Sequence, residues 1–140
     1  ERQQQLELYA SHLGWLNSTP DKSKQTRLQA LGAGSQFANM PPCDNQELVA
    51  VFHDIGLANM TTSIQSLTFS DIAGFRSATG LDLNYHESVA IKRMSDKFVI
   101  WLHKGKEHSC NAPYYKDKRD KKAMRAEVMD KFKALARKRK

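Results

Sequence analysis

Leu6, Tyr9, Leu13 and Leu16 recur at spacings of three and four, a pattern that predicts a helix from about residue 2 to 17 with one apolar face. Asn17-Ser18-Thr19-Pro20 stops it. Residues 22–31 admit a short helix, and Gly32, Gly34 and Pro41-Pro42 mark a loop or hinge over residues 32–43. Asp44 followed by Glu47 reads as a capping box. Leu48, Val51, Phe52 and Ile55 then form a helical stripe that ends at Gly56. Ser70 is placed to cap another short helix with Ile72 and Phe75 turned inward and Gly80 at its end. The Thr- and Ser-rich residues 57–69 connect the two.

From Ser88 the period changes. Val89, Ile91 and Arg93 alternate with Ala90, Lys92 and Met94, Ser95-Asp96 offers a tight turn, and Phe98, Val99, Ile100 and Trp101 form a β-branched and aromatic run. This predicts an antiparallel hairpin over about residues 88–103, with Ile91, Val99 and Trp101 buried and Lys92 and Lys97 outward. Beyond Pro113, Met124, Val128, Phe132 and Leu135 are spaced four, four and three apart in a segment dense in Lys and Arg. The expectation is a long basic helix within 113–140. The fold class that follows is α+β, mainly helical with one hairpin. Two short helices before a hairpin are also compatible with a winged-helix-like arrangement.

The chain is 140 residues long, 40% apolar and 26% charged, which fits one globular domain over residues 1–140. No apolar run approaches the roughly 18 to 20 residues that would cross a bilayer, so no membrane partner is expected. The start Glu1-Arg2-Gln3-Gln4-Gln5 has none of the features of a signal peptide. A chain beginning at Glu1 is expected to be a piece of a longer polypeptide. Two cysteines, Cys43 and Cys110, are too few for a secreted disulfide scaffold, and a reducing, cytoplasmic setting is expected.

The distribution of charge changes the picture more than its total of +7. Residues 1–91 carry a net −4 and residues 92–140 a net +11. Positive charge collected in the last third has an anionic partner to attract, and cations near phosphates gain affinity by releasing counterions. The residues expected to contact nucleic acid are Lys92, Arg93, Lys97, Lys104 and Lys106 on the hairpin, with Lys116, Lys118, Arg119, Lys121, Lys122 and Arg125 at the start of the last helix. Tyr114 and Tyr115 stand between the two groups, where their rings could stack on unpaired bases or cover the core.

Other chemistries are less well supplied. His103, His108 and Cys110 form an incomplete zinc set, and neither a metal nor a cofactor is expected. Asp71, Asp82 and Glu87 are isolated acids. No Walker loop, dinucleotide turn or nucleophile elbow is present. The function expected from sequence is a non-enzymatic nucleic-acid-binding domain, DNA slightly preferred over RNA. The alternative is a protein-interaction or assembly module, whose basic helix docks on an acidic partner and whose N-terminal helical part contacts another chain.

Overall fold

The computed structural model describes residues 1–32, 38–115 and 121–138, with the side chains of residues 121–124, 131, 137 and 138 excepted. Among the described residues the elements run α1 (Arg2–Asn17), α2 (Arg27–Leu31), α3 (Gln46–Ile55), β1 (Asn59–Met60), β2 (Ile64–Gln65), α4 (Phe69–Thr79), α5 (Tyr85–Lys104) and α6 (Lys121–Lys138). The two short strands pair antiparallel, Asn59 opposite Gln65 and Met60 opposite Ile64. The result is α+β in which the sheet is a minor part.

The predicted hairpin over 88–103 is not present. Those residues lie within α5, a helix of 20 residues. Asn84 starts it as the cap of a complete capping box with Glu87, in which each side chain accepts the other residue's backbone N–H. Ala90, Ile91, Met94 and Phe98 are then buried at spacings of one, three and four, so a helical face underlies what the alternation suggested was a strand. Ser95 is not a turn residue. Its buried hydroxyl accepts from the Leu67 N–H and donates to the Leu57 carbonyl, both at 2.8 Å, tying α5 to the connection before α4. Lys92 and Asp96 form an i,i+4 ion pair at 2.6 Å across the supposed turn. The wing of a winged helix was to be built from these residues, and the only strands among the described residues lie earlier, at 59–65.

Two further caps differ from expectation. Asn45 caps α3 by accepting the Leu48 N–H, in place of Asp44. Thr68, with Asp71, caps α4 in place of Ser70. Gly56 and Gly80 end these helices in the left-handed conformation, as their positions suggest.

The long central contact is α1 against α5. It is made possible at Gly14, where an added Cβ would lie 2.4 Å from the Phe98 carbonyl oxygen. One core cluster joins Leu6 and Ala10 of α1 to Leu48 and Phe52 of α3, Ile72 of α4 and Ile91, Met94 and Phe98 of α5. A second gathers Trp15 and Leu16 at the end of α1, Leu31 of α2, Ala112, and Val128 and Phe132 of α6.

Candidate functional site: an apolar groove along α4

Helix α4 is thinly anchored. Of its 11 residues Ile72 alone is buried, with Asp71 and Phe75 half-buried. Ser70, Ala73, Gly74, Ser77 and Ala78 are exposed, and open space lies above Gly74. Small side chains on an exposed helix face permit close approach by another element. Between α4 and the start of α5 lies a groove of about 530 Å³ lined by Phe69, Ile72, Ala73, Leu83, Tyr85 and Val89, with Arg76 at its edge.

Apolar side chains that a monomer would ordinarily bury crowd this region. Phe69 is 54% exposed and Tyr85 75% exposed, each at the first position of its helix. Met60 and Ile64, paired across the small sheet, and Leu81, just past α4, are exposed as well. Beyond these five, the large exposed apolar residues among those described are Ile100 and Met129. A concentration of this kind marks an interaction surface more often than scattered exposure does. Two shallower hollows also border α4, one reaching Met60 and Phe75 and the other Leu81 and Asp82.

Arg76 is the one charged side chain among the groove's lining residues; Asp71, Asp82 and Glu87 lie near it in sequence but outside that lining, and Lys92 and Arg93 follow on α5. Arg76 approaches the fully exposed Asp82 at 3.7 Å, a pair of little energetic weight. Asp71 is held below its usual carboxylate range, chiefly because it accepts the Thr68 backbone N–H in the capping box. Asp71 and Glu87 therefore act as helix caps, and among the described residues no three His, Cys, Asp or Glu side chains come together as a metal cage.

The basic residues singled out from sequence are dispersed. Arg93, Lys97 and Lys104 follow one line along α5, with Arg93 and Lys104 exposed and Lys97 half-buried. Lys92 is half-buried and paired with Asp96, which also accepts from Ser66 Oγ. Lys104 lies 4.7 Å over the Trp101 ring, and Lys106 is exposed just beyond the helix. Trp101 and Val99 are half-buried. Arg125 is exposed on α6. Lys116, Lys118 and Arg119 lie outside the described residues, as do the side chains of Lys121 and Lys122.

Tyr114 meets the His12 ring edge-on at 5.7 Å. Tyr115 packs on the second core cluster, and its hydroxyl accepts from the Ala112 N–H. Of the metal-type residues, His108 stands edge-on to Phe132, and Cys110 donates to its neighbour's carbonyl while its own carbonyl accepts from Trp15 Nε1.

The groove was not found from sequence. Its signal was present, however: two bulky aromatics, Phe69 and Tyr85, each directly follow a helix cap, and α4 carries few apolar residues able to reach a core. Comparison with known protein families, with curated proteins and with solved structures returns no match.

Proposed function

We propose that this chain is a non-catalytic interaction module that holds an amphipathic helix of a partner protein in the groove between α4 and α5. The observation that carries this reading is the exposure of Phe69 and Tyr85 on the groove's wall, with Met60 and Leu81 exposed in the adjoining hollows along α4. An amphipathic helix lays apolar anchors into such a groove at helical spacing.

A defined probe tests this: a fluorescent amphipathic peptide of Leu, Ala and Lys, beside one of the same composition scrambled so that no apolar stripe forms. The amphipathic peptide should bind saturably and the scrambled one should not. Phe69→Asp and Tyr85→Ser should each weaken binding about tenfold or more, as loss of an interface anchor does. Equal binding by the variants overturns the groove assignment.

A second reading, contact with DNA or RNA, is favoured by one observation, the line of Arg93, Lys97 and Lys104 on α5. It predicts salt-dependent oligonucleotide retardation that is lost when these three are changed to Glu. Retardation unaffected by those changes would remove α5 from that reading.

A further inference from the structure

Arg27 is the one charged side chain among the described residues that is buried, at 1% exposure. No described carboxylate pairs with it. Its Nε donates to Ser18 Oγ at 3.3 Å, and one terminal nitrogen donates to the carbonyls of Gly105 at 3.0 Å and Glu107 at 2.7 Å. The guanidinium also lies 4.8 Å over the Trp15 ring. These contacts satisfy donors but supply no counter-charge, and burial accordingly lowers the Arg27 pKa.

The same guanidinium borders a cavity of about 210 Å³ that shares no lining residue with the α4–α5 groove. Trp15, Val128 and Met129 give the cavity apolar walls, and Arg125 and Tyr115 add a second cation and a hydroxyl. Among the described residues no Asp or Glu lines it. Asn111 also lines it, and its Oδ1 is buried without a hydrogen-bond partner. The wall therefore presents positive charge, one unsatisfied acceptor and an apolar surface to a space of small-molecule size.

We infer that this cavity binds a small organic carboxylate with an apolar body and one hydrogen-bond donor. Arg27 keeps its other terminal nitrogen to donate to a carboxylate, and Arg125 adds a second guanidinium. The apolar walls take the hydrocarbon body, and the donor reaches Asn111 Oδ1. A bare inorganic anion would leave the walls and the Asn111 oxygen unused. The cavity is close to the size that holds a single aromatic ring.

The test uses the full chain with 4-hydroxybenzoate, benzoate, benzamide and inorganic phosphate as probes, read by thermal shift and by calorimetric titration. Melting temperature should rise with 4-hydroxybenzoate, rise less with benzoate, and stay unchanged with benzamide and phosphate. Arg125 is exposed, so Arg125→Gln should leave the free protein's melting temperature unaltered while weakening 4-hydroxybenzoate about tenfold. Asn111→Ala should remove the advantage of 4-hydroxybenzoate over benzoate. Absence of any carboxylate effect, a phosphate effect as large as that of benzoate, or an Arg125→Gln variant that binds normally overturns the assignment.

Discussion

His12 shows how a single residue sets a condition on this fold. Its ring is fully buried and stacked on Trp15 at 5.7 Å, with the Asn39 backbone as the polar neighbour of its ring nitrogens. Burial pushes its pKa down to about 4, against a smaller opposing pull from the Asn39 backbone. The folded state therefore prefers neutral His12, while the unfolded chain takes up a proton near pH 6.5. The stabilisation is complete above that value and is lost as pH falls through the window from about 6.5 to about 4, amounting to about 3 kcal/mol at most. Urea unfolding at several pH values should show this loss in the natural chain and a flatter profile in His12→Leu; parallel profiles would contradict it. Gly14 imposes a steric condition of the same kind. Gly14→Ala would drive a methyl into the Phe98 carbonyl, and a cost of about 2 kcal/mol or more is expected in the same unfolding assay.

At the scale of elements, α5 decides the architecture, and it is the element the sequence pattern misrepresents. Val89 to Met94 alternate by type, yet Ala90, Ile91, Met94 and Phe98 satisfy the helical period equally well, and the Asn84-to-Glu87 box settles the choice. Both the β-branched content of Val99 to Trp101 and the Ser95-Asp96 pair argued for a hairpin. Packing against α1 along its whole middle outweighs such local preference. Helices α1, α3 and α4 were legible because period and terminating residues agreed: Pro20 follows α1, Gly56 closes α3 and Gly80 closes α4. The small sheet at 59–65 was not legible, since two residues per strand leave no periodicity to read. The site was less legible than the fold, because exposure of Phe69 and Tyr85 depends on what α4 fails to pack against. Asn84→Ala should cost about 1 kcal/mol through loss of the α5 cap. Ser95→Ala should cost about 1 to 3 kcal/mol, because the Leu67 N–H loses its buried acceptor. Denaturant midpoints check both, and a neutral Ser95→Ala would mean that the connection before α4 is not held as described.

Across the whole molecule, surfaces of different character are built on one α1–α5 framework. Around α4 the surface is apolar, α5 carries a line of cations from Arg93 to Lys104, and Arg27 faces a cavity against the second core cluster. Among the described residues no helix is long and apolar enough to cross a membrane. The central claim is that the apolar groove along α4 receives a partner helix. Amide chemical-shift mapping with the Lys-bearing amphipathic peptide tests it most directly, because it locates the contact without any substitution. The account predicts that shifts concentrate in residues 60–64, 69–81 and 83–89, with saturation at one peptide per chain. Shifts confined to residues 93–106, or spread evenly over the chain without saturation, would contradict it.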